Sequence, residues 1–165
     1  MIGVIDYGMG NLRSVEKAFA YLGFDAGIVK TPSEIERCDK IVLPGVGAFG
    51  DAISALKLGG LDLAVKQAVS EGRMFLGICL GMQLIFDEST EGGLFEGLKL
   101  LPGRIVRLDE DRSVKYGGAE LKIPHMGWNS LTVKKPAPLF EGLGGEPFVY
   151  FDHAYYLETD AEIPD

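Results

Sequence analysis

Cysteine, histidine and positive charge are all scarce in this chain, and each scarcity removes a class of protein. The two cysteines, Cys38 and Cys79, stand far apart without a second pair, which is neither a disulfide framework nor a zinc spacing. Sixteen lysines and arginines against 24 aspartates and glutamates leave a net charge of −8, which speaks against nucleic acid or an anionic membrane surface as the main partner. No apolar run approaches the ~18 residues that a spanning helix needs. The first residues, MIGVIDYGMGN, pass directly into a strand-like run with neither a basic leader nor a long apolar stretch. A cytoplasmic, reducing location is therefore expected, in which Cys79 stays a free thiol. There is no internal repeat, low-complexity tract or linker, so residues 1–165 read as a single domain of ordinary globular composition, 47% hydrophobic and 24% charged.

What is present in the first half is alternation. Short apolar runs at 1–6, 26–30, 40–44 and 73–79 have the texture of buried strands. Between them, Leu12, Val15, Phe19 and Leu22 fall on one face of a helix over 11–23, with Asn11 as N-cap and Gly23 as stop. A longer helical stretch over 51–71 is broken or kinked at Gly59-Gly60, which leaves one bent helix or two. Strand–helix alternation predicts an α/β fold: a mostly parallel sheet flanked by helices. After residue 90 the texture changes to alternating runs (GRIVRL, AELKIP, NSLTVKK, FVYFDHAYYLE) separated by Gly-Gly turns, which predicts appended antiparallel strands.

The chemistry concentrates in RMFLGICLGMQLIF, where a strand-like run ends at Cys79 and a helix-like run begins at once. Gly77-Ile78-Cys79-Leu80-Gly81 has the spacing of a nucleophile elbow. The nucleophile of such a turn sits in a strained backbone conformation, and its flanking glycines let strand and helix approach. The following helix directs free N–H groups at the sulfur, favouring the nucleophilic thiolate, and the Leu80 N–H is placed to hold an oxyanion. Gln83 lies one helical turn on and faces the same mouth. The Gly-rich strand end at 44–50, PGVGAFG, offers further backbone N–H groups.

GICLGMQ closely resembles the nucleophile motif of the class I (triad-type) glutamine amidotransferases. Within that class, IDYGMGNLRSV (5–15), PGVGAFGDA (44–52) and PHMGWN (124–129) resemble the glutaminase subunits of imidazole glycerol phosphate synthase, of histidine biosynthesis. The resemblance implies a flavodoxin-like class I amidotransferase fold. It implies glutamine hydrolysis through a thioester on Cys79, with an oxyanion hole from the backbone of Leu80 and, after a peptide rearrangement in the Pro44-Gly45-Val46-Gly47 loop, of Val46. Gly47, Gln83, His153, Ala154 and Tyr155 would hold glutamine, with Ala154 standing where the family commonly has serine or threonine. Asn11, Met126, Trp128 and Asn129 would face a (βα)8-barrel cyclase that receives the ammonia. No cofactor and no metal is implied.

The resemblance also implies a general base, a histidine in a His-Pro-Glu segment near the C-terminus. Residues 1–165 contain no such segment, so the chain is expected to lack the C-terminal end of its domain and to be less stable than longer relatives. The two histidines, His125 and His153, belong to PHMGWN and to the substrate-side strand. A cysteine without its base is only part of a catalyst. This leaves open, beside the glutaminase, a module that docks on the cyclase without hydrolysing glutamine. A redox or chaperone protein with a cysteine elbow would leave Gln83, PGVG and PHMGWN unexplained. The Gly-rich 6–11 loop lacks the spacing of a nucleotide site, and Cys38 reads as structural.

Overall fold

A computed structural model describes residues 1–108 and 122–160. Strands β1 (Ile2–Ile5), β2 (Ala26–Val29), β3 (Lys40–Gly45) and β4 (Met74–Cys79) form one parallel sheet in the order β2-β1-β3-β4. That order is the doubly wound arrangement in which ligands collect beyond the carboxyl ends of the strands. The two central runs are buried because helices cover them: Val4, Ile5, Ile41, Val42 and Leu43 are almost wholly inaccessible, whereas the flanking β2 and β4, each paired on one side among the described strands, are mostly half-buried rather than buried as expected.

With this strand order the right-handed crossover rule puts α1 (Leu12–Tyr21) on one face and α2 (Pro32–Ile35), α3 (Phe49–Leu58) and α4 (Leu61–Ser70) on the other, and α4 packs against both α2 and α3. Asn11 caps α1 by accepting the Ser14 N–H at 3.3 Å, as expected from its position. The stretch 51–71 is two helices. Gly59 closes α3 and Gly60, at φ 66°, opens α4 in a backbone conformation costly for other residues. Phe49, Ile53 and Leu56 of α3 and Leu61 and Val65 of α4 complete the core. On α1 only one half is covered: Leu12, Val15 and Phe19 are half-buried, and Leu22 is exposed.

The second sheet has the order β10-β7-β5-β6, from β5 (Glu88–Ser89), β6 (Phe95–Glu96), β7 (Arg104–Arg107) and β10 (Tyr155–Glu158). β10 and β7 run antiparallel, as do β5 and β6, whereas β5 and β7 run parallel. A separate hairpin pairs β8 (His125–Ser130) with β9 (Phe148–His153). Three expectations shift here. The strand expected over NSLTVKK lies earlier, on HMGWNS, and 131–135 carry none. The run FVYFDHAYYLE is two strands, because the chain changes partner at Ala154, whose carbonyl accepts the Leu108 N–H. The AELKIP run falls partly outside the described residues, and its described part carries no strand.

The helix after Cys79 is also shorter than its apolar pattern suggests. The helix α5 spans only Leu80–Gln83. Its continuation is stopped because the carbonyls of Leu84, Ile85 and Phe86 accept N–H groups from Leu98, Leu100 and Lys99 of a returning segment. What faces the sulfur is a single turn's free N–H groups rather than a long helix dipole.

Candidate active site

Cys79 is the last residue of β4 and sits immediately before α5, with φ 55° and ψ −121°. Among the described residues only Lys99 is another non-glycine with positive φ. Such a conformation costs on the order of 1–3 kcal/mol and survives only where the surroundings hold it. Here the β3–β4 pairing continues to Gly45↔Cys79, so the strand end is held to its last residue. The turn works because the two bracketing glycines are pressed against backbone. A Cβ at Gly77 would lie 2.6 Å from the Met82 Cα, and one at Gly81 would fall on the Leu43 carbonyl oxygen. The result is an exposed free thiol at the end of a half-buried strand, whereas Cys38 is buried with its Sγ–H directed at the Glu34 carbonyl.

Above Cys79 opens a cleft of about 700 Å³. Val46, Gly47, Cys79, Leu80, Gln83, His153, Ala154 and Tyr155 all line it, so the fold brings together the eight residues expected to act on glutamine. They arrive from three places: the loop after β3, the elbow with α5, and the bend between β9 and β10. Leu80 is the first residue of α5, and its N–H is one of the groups a helix start leaves unpaired. Gly47, at φ 97°, lies so near Met9 that a Cβ would approach the Met9 Cε to 2.9 Å.

Beneath the cleft, Tyr7 is buried and its hydroxyl donates to the Pro44 carbonyl at 2.9 Å. Burial pushes the Tyr7 phenol up to about 12, with the Cys79 sulfur adding to the rise. Near neutral pH it is therefore a neutral donor.

The two histidines form one relay. The Tyr155 carbonyl can only accept, so His153 donates through Nδ1 at 2.8 Å. His153 Nε2 then accepts from His125 Nδ1 at 3.0 Å, and His125 Nε2 accepts from the Asn129 amide at 2.8 Å. All four ring nitrogens are engaged, and none is directed at Cys79. His153 in this arrangement is a fixed wall of the cleft and not a base for the thiol.

Two contributions were not read from the sequence. Glu91, on the turn between β5 and β6, lines the cleft and accepts the Phe49 N–H at 2.9 Å, capping α3 from 42 residues away. Its own N–H donates to the buried Ser89 hydroxyl at 3.2 Å. Tyr150 and Asp152 enter the wall from β9. The remaining expected residues lie elsewhere. Met126 and Trp128 are exposed on one face of β8, where Trp128 meets Tyr150 edge-on at 5.6 Å. Asn129 lies on the opposite face with the histidines. Asn11 borders a separate polar groove with Arg13 and Lys30. Among the described residues no group of side chains could hold a metal ion, and no helix is long and apolar enough to cross a membrane.

Comparison with known proteins agrees with this geometry. The family profile described as Glutamine amidotransferase class-I matches residues 3–165. The imidazole glycerol phosphate synthase subunit HisH of Syntrophotalea carbinolica is 50% identical over 164 residues, covering 99% of this chain and 79% of that protein. The subunit of the same name from Bacillus velezensis is 52% identical over 158 residues, covering 96% of this chain and 73% of that protein. Among solved structures, one described as a glutamine amidotransferase superposes with a TM-score of 0.71 at 22% identity, over 98% of this chain and 75% of that one. PurLQS from Thermotoga maritima gives 0.66 at 19% identity, over 96% and 70%. These two likenesses concern the fold.

Proposed function

The chain belongs to the class I glutamine amidotransferases and, within them, to the family of imidazole glycerol phosphate synthase subunit HisH, and from that premise we propose how its cleft works. It is a glutaminase subunit of that synthase, in histidine biosynthesis, and has a partner subunit. The observation that carries the assignment of roles is the strained, exposed Cys79 sharing one cleft with Gln83, Val46, Gly47 and the β9–β10 bend.

In the proposed reaction the Cys79 thiolate attacks the side-chain amide carbon of glutamine. A carbon–sulfur bond forms and the carbonyl pair moves to oxygen, where the N–H groups of Leu80 and Val46 receive it. Collapse breaks the carbon–nitrogen bond, and the nitrogen takes a proton and leaves as ammonia. Water then adds to the thioester, the carbon–sulfur bond breaks, and glutamate and the thiol are released. Gln83 and the backbone of Gly47, Ala154 and Tyr155 position the amino-acid end of the substrate. Glu91 pairs with the substrate ammonium through the oxygen not needed by Phe49. The proton relay belongs to the family's His-Pro-Glu segment, since both histidines of residues 1–165 are committed to each other.

The exposed Met126 and Trp128, with Phe148 and Tyr150 beside them on β9, form an aromatic and methionine face of the kind that dominates contact cores. We assign this face and Asn11 to the partner subunit, a (βα)8-barrel cyclase that uses the ammonia, and we place the complex in the cytoplasm. Trp128→Ala is expected to weaken the complex by about 2 kcal/mol, roughly thirtyfold in Kd, in a calorimetric titration against the cyclase. Unchanged affinity would move the interface elsewhere.

Glu91→Gln keeps an oxygen for the Phe49 N–H while removing the charge. It is expected to raise the KM for glutamine by the equivalent of about 1.5–3 kcal/mol with kcat little changed. The test of the assignment as a whole is mass spectrometry after treatment with a glutamine-like chloroketone. One adduct on Cys79, blocked by glutamine, is expected, and modification spread over both cysteines without glutamine protection would overturn it.

A further inference from the structure

Tyr7 has no part in the reaction as described, yet it is buried directly below the reacting loop. Strand β1 pairs with β3 only as far as Val4↔Val42, while β3 continues beside β4 to Gly45↔Cys79. Beyond Val42 the β1 side of β3 therefore has no backbone donor from β1. The Tyr7 hydroxyl supplies one, donating to the Pro44 carbonyl at 2.9 Å. The phenol also lies hard against the next residue, since a Cβ on Gly45 would come within 2.5 Å of the Tyr7 oxygen. Pro44 carries no N–H and Gly45 no side chain, so on that side their shared peptide is held by the Tyr7 hydrogen bond and by the packing of Gly10, whose added Cβ would lie 3.6 Å from the Gly45 nitrogen. The following two residues, Val46 and Gly47, line the cleft.

We propose that Tyr7 is a positioning residue for oxyanion formation: its hydroxyl fixes the Pro44–Gly45 peptide, so that the Val46 N–H is presented to the cleft from a rigid base. The inference rests on the glutaminase reading above. A loose base would spread the donor over several orientations, and a donor displaced by an ångström stabilises a developing charge poorly. Binding of ground-state glutamine, which depends on Gln83, Glu91 and the β9–β10 bend and only through Gly47 on this loop, would be affected less. So would the nucleophilicity of the sulfur itself, whose turn is built by Gly77 and Gly81.

The test is Tyr7→Phe in the protein paired with its cyclase, beside a variant carrying para-aminophenylalanine at position 7, which restores a donor at the same place. Four quantities are read: kcat and KM for glutamate release, the rate of Cys79 alkylation by iodoacetamide, and the melting temperature. Iodoacetamide forms its carbon–sulfur bond by displacing iodide and needs no oxyanion hole. Tyr7→Phe is expected to lower kcat about tenfold or more, with KM and the alkylation rate within about twofold of the parent. Para-aminophenylalanine is expected to recover most of the lost turnover. An unchanged kcat in Tyr7→Phe overturns the proposal. So does a joint fall of kcat, alkylation rate and melting temperature, which marks a merely structural tyrosine, or a folded amino variant without recovery. A parent complex that alkylates at Cys79 but releases no glutamate overturns the glutaminase reading instead, and this inference with it.

Discussion

Replacing Cys79 by alanine is expected to abolish glutamine-dependent synthesis in the complex while leaving synthesis from added ammonia intact. Removal of a covalent nucleophile commonly costs on the order of 10⁴- to 10⁶-fold in kcat, because the remaining groups act only through it. Ammonia supplied in the medium bypasses the cleft and needs only the partner's site. Retained glutamine-dependent turnover would remove Cys79 from its role. The same position carries a second, opposite expectation for stability. Cys79 holds φ 55° and ψ −121°, a region that glycine enters freely and alanine does not. Cys79→Gly should therefore be more stable than Cys79→Ala by about 1 kcal/mol or more, though both are inactive. At this residue the fold gives up stability to present a thiol, and a denaturant titration of the two variants measures how much. Equal midpoints would mean that the elbow is relaxed and that the positive φ stores nothing.

Much of the site was legible because it is local. The elbow is written in five consecutive residues, and Gly77 and Gly81 can be argued from sterics before any coordinates are seen. The split of 51–71 at Gly59-Gly60 and the cap at Asn11 are likewise properties of neighbouring residues. What was missed depends on contacts distant in sequence. Glu91 reaches the cleft because the turn between β5 and β6 is folded back onto the start of α3, and nothing in Thr90-Glu91-Gly92 announces that. The break at Ala154 is invisible in FVYFDHAYYLE, whose aromatic texture is the same on both sides. It exists because β9 pairs with β8 and β10 with β7. The one-turn length of α5 has the same origin, since the carbonyls of Leu84, Ile85 and Phe86 just after it are taken by residues 98–100, with no helix-breaking residue to mark the stop. The resemblance supplied the roles of His153, Ala154 and Tyr155. The resemblance did not show that His153 is tied through His125 to Asn129, so that β8 and β9 share one hydrogen-bonded chain of side chains.

Gly81→Ala is expected to be among the most damaging single methyl additions in the molecule. Most glycines of a Gly-rich chain are tolerant of space, if not of conformation: around Gly145 no heavy atom lies within 4 Å of an added Cβ, and its φ is outside the left-handed range. At Gly81 the added carbon would fall on the Leu43 carbonyl oxygen, with the Leu43 carbonyl carbon at 2.7 Å. That obstacle cannot rotate away as a side chain could, because it is backbone of β3, paired with β1 up to Val42 and with β4 at Leu43 itself. Either α5 lifts off the sheet or β3 bends, and each loosens the elbow at Cys79. Overpacking of this kind costs typically about 1–3 kcal/mol and more where backbone must move, so a loss near 3 kcal/mol is expected. For a domain of this size that is a fall of roughly 6–12 °C in melting temperature. Gly145→Ala should stay within about 0.5 kcal/mol of the parent and serves as the control for adding a methyl group at all. If the two variants melt together, α5 is not pressed against β3 as described. If Gly81→Ala melts low but alkylates at Cys79 at the parent rate, the glycine serves packing alone and the elbow holds itself.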